Sequence, residues 1–451
     1  MTTHRKTLAL LSALLVLLLG GIGLNRLWHP APRLGPSLQQ IRTAPPSQWP
    51  LDTVSLVPHL RAGATPRAGT AGGCWQDYQW SSPRDPFVRL HDIARLPNGE
   101  IWAVGAYVQD QTVPTTQALI ERWDGRTWQP LAIPLLPDSD LLHIAARAPN
   151  DVWVLGTAGS PPDMADVLLH WNGAAWSVFT TAVSYAGGLT VTAGGDLWAV
   201  GTSQTASPNI VDWLWTQRWT GQQWQRVPEI SESENFQHGE GRLNAATALG
   251  ANDIWAVGTT SLHWDGASWQ VIPFAAADWP EPEYQSVAAV TAGDVWAVGS
   301  VYEQRLGSVD EQRTAIMHWT GTQWQSVPSP NPGAEENELS GVAAVNAQDV
   351  WAVGSYGASA ATATGRQLLI THWDGQRWQI VNPPLLAPES GLLKVVASPS
   401  GEVWMLGRQN REDTSAGEDL VIHYTATSCS GSSSAFHLYS GSVHPGPSWS
   451  R

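Results

Sequence analysis

Hydrophobic and polar positions along this chain repeat with a long period. Seven times an apolar residue, Trp, two apolar residues and Gly recur, first as Ile101-Trp102-Ala103-Val104-Gly105 and then around Trp153, Trp198, Trp255, Trp296, Trp351 and Trp404. Successive copies lie roughly 40 to 60 residues apart, the range in which one repeat forms one four-stranded sheet. The sixth copy shows the internal order. Leu339 to Val345 is an apolar stretch of small residues, Asn346 to Asp349 a turn, and Val350 to Ser355 a second stretch carrying Trp351. A variable polar segment follows, then Leu368 to Trp373, the pair Asp374-Gly375, and Trp378 to Val381. Asp-Gly is a strong hairpin signal, because glycine takes the positive φ that a two-residue turn needs. Runs apolar on both faces predict strands in sheets that are covered on both sides.

Tryptophan marks the same places in every unit. Trp123, Trp171, Trp219, Trp264, Trp319 and Trp373 end the third run, with Tyr424 in the seventh unit. Trp128, Trp176, Trp224, Trp269, Trp324 and Trp378 open the fourth. With the seven of the second run, these positions absorb most of the chain's 27 Trp. The pattern therefore predicts an all-β, seven-bladed β-propeller of four-stranded antiparallel blades, with tryptophan packed between blades. The seventh unit lacks a fourth run, since a Ser-rich stretch follows Tyr424. Cys74 to Pro83 reads like Trp324 to Pro330, so this N-terminal strand is expected to complete the last blade, with Trp75 in the missing position. Such closure removes open sheet edges.

Four segments follow. Residues 1–26 form a signal anchor or signal peptide, 27–73 a Pro/Ala-rich linker, 74–429 the propeller and 430–451 a Ser/Gly-rich tail. Leu8 to Leu24 is apolar apart from Ser12 and some Gly. As a helix it would span about 26 Å, close to the ~30 Å hydrocarbon core. No Ala-x-Ala-like cleavage site follows it, which favours an uncleaved transmembrane helix. The basic start (His4, Arg5, Lys6) stays inside and places the propeller outside a cell membrane crossed once, or secretes it if the segment is cleaved.

Composition adds two constraints. The net charge of −15 and pI near 5.2 argue against nucleic acid and anionic lipid as partners, leaving the N-terminal helix as the membrane contact. The chain has only two cysteines. Cys429 falls five residues after Tyr424, as Trp378 does after Trp373, and Cys74 opens the incoming strand. A Cys74–Cys429 disulfide is expected outside the cytoplasm; two free buried thiols are the alternative.

The blade pattern resembles tectonin-type and kelch-type propellers, of the kind found in exported bacterial proteins with Trp-Ala-Val-Gly and His-Trp-Asp-Gly units. The tectonin resemblance lies in Leu339 to Val353 and Ile370 to Val381. It implies lectin-like binding of sugars or surface glycolipids. The kelch resemblance lacks the paired glycines after the second strand.

Residues of catalytic type recur without converging. His170, His263, His318, His372 and His423 precede the third-run Trp or Tyr, with Arg122 and Arg218 in two other units. Equivalent positions in a ring are spread apart, so structural roles are expected and no metal or other cofactor, Ca²⁺ having only scattered loop carboxylates in its favour. The acid before each second run (Asp151, Asp196, Asp253, Asp294, Asp349, Glu100 and Glu402) is expected to cap the preceding turn. The inner strands read as mainly Ala, Val, Thr and Ser.

No nucleophile elbow or phosphate loop is present. The reading is of a monomeric, non-catalytic extracytoplasmic binding or scaffolding propeller, with a cell-surface protein or glycan on the face of the long variable loops. Tyr107, Trp279, Tyr302 and Tyr356 are the candidate contact aromatics. The alternative is an extracellular glycan hydrolase or lyase using the central funnel.

Overall fold

The structure, a computed structural model, describes residues 60–62, 67–68 and 73–427, except for 81–87, 109–114, 161–163, 182–185, 205–211, 228–240, 275–281, 304–310, 358–364, 385–389 and 412–413. The anchor, most of the linker, the tail, Cys429 and Trp279 lie outside the described residues. Among the described residues no helix is long and apolar enough to cross a membrane.

All described elements are strands, and they form seven antiparallel sheets. Blade 1 runs Val88–Arg95, Ile101–Val108, Thr116–Trp123 and Trp128–Pro130. Blades 2 to 6 repeat that order over residues 140–181, 186–226, 243–271, 283–326 and 336–380. The innermost strands contact one another in sequence from blade 1 to blade 7 and back to blade 1, so the ring is closed. The seven-bladed, four-stranded architecture is therefore as the repeat predicts.

Blade 7 combines Ser390–Ala397, Glu402–Arg411 and Thr414–Thr425 with the N-terminal strand Cys74–Trp80. Trp75 pairs with Tyr424 in the register in which Trp378 pairs with Trp373. The linker is not structureless, however. Leu60–Ala62 and Arg67–Ala68 both pair with Cys74–Trp80 and extend blade 7 outward. Their shortness hides them from periodicity, because two or three residues show no alternation.

Seams between blades are built by one aromatic motif used seven times. The second-strand Trp of each blade meets the Trp pair that flanks the outer hairpin of the next. Trp198 lies 5.0 Å from Trp264 and 5.8 Å from Trp269, centroid to centroid; Trp255 lies 5.1 Å from Trp319, and Trp296 5.1 Å from Trp373. Trp102 meets Trp176 at 6.2 Å and Trp153 meets Trp219 at 6.3 Å. Trp351 reaches Tyr424 at 5.2 Å, and Trp404 closes the ring on Trp123 at 5.1 Å. Most contacts are tilted or edge-to-face, the geometry that the ring quadrupole favours, worth about 0.5–1.5 kcal/mol per pair beyond area burial.

The acids before the second strands do something other than cap turns. Asp294 Oδ1 accepts the indole N–H of Trp296 at 2.9 Å and Nε2 of His318 at 2.7 Å. Asp151 does the same for Trp153 and His170, at 2.9 and 2.8 Å. Each such His also stacks on its Trp, at 4.0 Å for Trp296–His318 and 3.9 Å for Trp153–His170. The carboxylate thus joins two neighbouring strands and satisfies a buried indole N–H. The hairpin acids are the turn caps instead: Asp124 Oδ1 accepts from the N–H groups of Arg126 and Thr127, both at 2.9 Å.

Candidate binding site at the channel mouth

All seven signature glycines, from Gly105 in blade 1 to Gly407 in blade 7, lie opposite a bulge in the inner strand. In blade 5, Gly299 pairs with Tyr284 and Val298 with Ser286, leaving Gln285 as the extra residue. In blade 6, Gly354 pairs with Leu339 and Val353 with Gly341, leaving Ser340. A Cβ on Gly299 would lie 2.0 Å from the backbone oxygen of Glu283, and one on Gly354 2.0 Å from that of Glu338. Glycine is required because the bulged backbone comes this close. Each bulge re-aims the residue it sets out of register. The bulged residues are His91, Leu142, Gly187, Asn244, Gln285, Ser340 and Leu393.

All of these except Leu142 line one cavity of ≈ 580 Å³ around the axis. The cavity also takes in Glu283 and Glu338 from the first residues of inner strands, Ser300 and Tyr302 from the end of a second strand, Gln312 from the start of a third, and Lys394. Those strand ends carry the variable loops and the crossings, so the cavity opens on the long-loop face. The inner strands Glu283–Thr291 and Glu336–Asn346 carry Glu283 and Glu338 to the channel. The lining is therefore polar and charged, not the Ala, Val, Thr and Ser surface expected.

The polar groups are held in place across blades. Asn244 donates to Glu283 Oε1 at 3.0 Å and to the Tyr284 carbonyl at 3.1 Å. His91 Nε2 lies 3.1 Å from Asp140 Oδ2. Asp92 accepts the Ile144 N–H at 3.1 Å, and Ser286 Oγ the Val342 N–H at 3.2 Å. Gln312 donates to Ser300 Oγ at 2.9 Å, and Ser355 donates to Glu338 Oε1 at 3.0 Å. Arg366 lies 3.5 Å from Glu338 and 3.4 Å from Glu336. Deeper in, His143 Nε2 lies 2.9 Å from the Ala186 carbonyl oxygen, and burial holds this imidazole below its ordinary pKa.

The candidate aromatics separate into different classes. Tyr302 lines the cavity and is 54% exposed. Partial burial, then the carboxylates of Glu338, Glu336 and Glu283, raise its hydroxyl above the usual phenol pKa. Tyr356 is half-buried and donates to Gln367 Oε1 at 2.6 Å, packed beside the seam of blades 5 and 6. Tyr107 is 4% exposed and belongs to the core between blades 7 and 1, so it is no surface contact. Its place near the end of a second strand puts it in the stacked interior. Blade 4 has a short connection: Gly258 N–H bonds to the Thr260 carbonyl and Ser261–Trp264 follows at once. Among the described residues no group of three or more His, Cys, Asp or Glu is placed to hold a metal ion. The recurrent histidines are engaged with acids and stacked on tryptophan.

No family model and no curated protein matches the chain. Among solved structures it is similar to YCF48 bound to a D1 peptide, at 16% identity over 83% of this chain and 99% of that one, with a TM-score of 0.47. It is also similar to the Aleuria aurantia lectin in complex with Fucα1-6GlcNAc, at 11% identity over 77% and 99%, TM-score 0.36. The polysaccharide lyase Uly1 matches at 9% identity over 87% and 96%, TM-score 0.33. At these scores the likenesses carry no argument about function, and the fold rests on the strand pairings themselves.

Proposed function

We propose that the protein is a binding propeller, displayed outside the cytoplasm, that holds a saccharide in the cavity at the channel mouth. The observation that carries this reading is the lining. Side-chain amides (Asn244, Gln285, Gln312), hydroxyls (Ser300, Ser340) and carboxylates converge from blades 4, 5 and 6 beside the exposed ring of Tyr302. Amides and carboxylates match the hydroxyl groups of a sugar, and an exposed aromatic face packs on its C–H surface. A rigid scaffold with the site among variable loops suits recognition. The extracytoplasmic placement rests on the apolar segment Leu8 to Leu24 behind its basic start.

One observation favours the second reading, a glycan hydrolase or lyase. The channel mouth carries Glu283, Glu338, His91 and Lys394 together, where small residues were expected. A single experiment separates the two. The full-length protein is incubated with a panel of polysaccharides, and both retention and the appearance of new chain ends are measured. Retention without new ends supports binding. New reducing or unsaturated ends support the enzyme. Neither result with any polysaccharide removes both readings.

A further inference from the structure

The chain contains two lysines, Lys6 and Lys394; every other cation is arginine or histidine. The propeller therefore has one lysine, and it lies at the axis. Lys394 follows the bulge in the inner strand of blade 7 and lines the channel cavity. Among the described residues no carboxylate lies within ion-pair distance of it, although acids surround the same channel. Those acids are already engaged. Glu283 takes the Asn244 amide at 3.0 Å, Glu338 takes the Ser355 hydroxyl at 3.0 Å with Arg366 at 3.5 Å, and Asp140 faces His91 at 3.1 Å. Asp92 accepts the N–H groups of Ile93 and Ile144, at 2.9 and 3.1 Å. The groups that face Lys394 with their charge include His143, whose protonation it opposes. The cavity thus presents an ammonium with three donors, paired with no carboxylate among the described residues.

We propose that the saccharide held at the channel mouth is an acidic one, with its anionic group, a carboxylate or a sulfate ester, on Lys394 and its hydroxyls on the amides of blades 4 and 5. This inference rests on the binding reading above and gives it a ligand class. A compact, strongly hydrated charge on a flexible stem suits a single anionic contact inside a polar cavity. Charge-assisted hydrogen bonds are about twice as strong as neutral ones. The protein's net charge of −15 would repel such a ligand elsewhere on the surface, so the axial cation also confines it to this place.

The test uses the full chain and four defined probes: polygalacturonate, sulfated dextran, neutral dextran and neutral galactan. The expected result is that an acidic probe binds at least about ten-fold more tightly than the neutral ones, and that K394Q removes about that factor while K394R keeps most of it. Polygalacturonate above sulfated dextran identifies a carboxylate, and the reverse order a sulfate. Acylation of Lys394 by acetic anhydride, read by mass spectrometry, is expected to fall when the bound probe is present. Neutral probes binding as tightly as acidic ones, with K394Q unchanged, overturn the inference and leave the binding reading standing. No probe bound at all overturns both. A folded K394Q, shown by an unchanged thermal midpoint, keeps loss of binding from being loss of structure.

Discussion

Trp75 and Tyr424 face each other across paired strands separated by almost the whole propeller, with ring centroids 4.6 Å apart. They occupy the positions held elsewhere by Trp pairs such as Trp319 and Trp324, which hairpins bring together within a few residues. The seventh blade thus makes by long-range pairing what the others make locally. W75A should leave a large cavity at a buried ring that is 1% exposed, costing about 3–5 kcal/mol. Denaturant unfolding of W75A should show that loss, and a loss below about 1 kcal/mol would mean that the strand does not bear on closure.

The same strand begins at Cys74, which pairs with Thr425. Among the described residues no cysteine is a free thiol, which supports the proposal that Cys74 and Cys429 are bridged. In the chain-entropy treatment a loop of this size contributes at most roughly 5–6 kcal/mol. Denatured, unreduced protein should take up no alkylating reagent, and should take up two equivalents after reduction. Two equivalents before reduction would exclude the bridge.

Gly299 and Gly354 are predicted to be intolerant of any side chain. With a Cβ 2.0 Å from a backbone oxygen, G299A must open the inner strand or unmake the bulge, at a cost of more than about 2 kcal/mol. Gly194 has no such neighbour, its closest being Thr192 Oγ1 at 3.6 Å, so G194A should be nearly neutral. Thermal midpoints of the two variants check this; equal midpoints would refute the bulge as the reason for the signature glycine.

Blade 7 carries two buried groups that titrate in opposite senses. Asp419 accepts the N–H of Leu90 in blade 1 and lies 3.4 Å from Arg408 Nε, and burial pushes its carboxyl up to about 7. The folded state then binds more protons than the unfolded one between about pH 4 and pH 7, so this group lowers stability as pH rises through that window. His423 is held down to about 4 by burial, with Glu402 3.6 Å away. Here the unfolded state binds more protons between pH 4 and 6.5, so stability rises with pH. The two slopes oppose each other in the parent protein. D419N should gain a slope rising with pH, and H423Q a slope falling with pH, in midpoints measured from pH 4 to 7. Slopes of the same sign in both variants would refute the assignment.

The sequence makes the ring legible because its marks are local and repeated: a Trp two residues after an acid, a Trp on each side of a hairpin. The closure at Trp75 is legible by the same marks. The channel is not. Period-two alternation assigns faces only where the register is unbroken, and each inner strand slips by one residue where it matters. His91, Asn244, Gln285 and Ser340 enter the cavity through that slip. The role of Asp294 is hidden for a related reason. Its partners Trp296 and His318 lie on adjoining strands, and a nearby turn offers a simpler acceptor role that the fold does not use.

Ser340 gives the most direct test of the binding account, since it is the bulged residue of blade 6 and faces the cavity. S340W should fill the channel mouth without touching the tryptophan seams. Saccharide affinity of S340W is therefore the decisive measurement. S340W is expected to lose binding by at least about a hundred-fold, with an unchanged thermal midpoint. Binding equal to that of the parent protein, in a variant equally stable, would place the ligand elsewhere and contradict it.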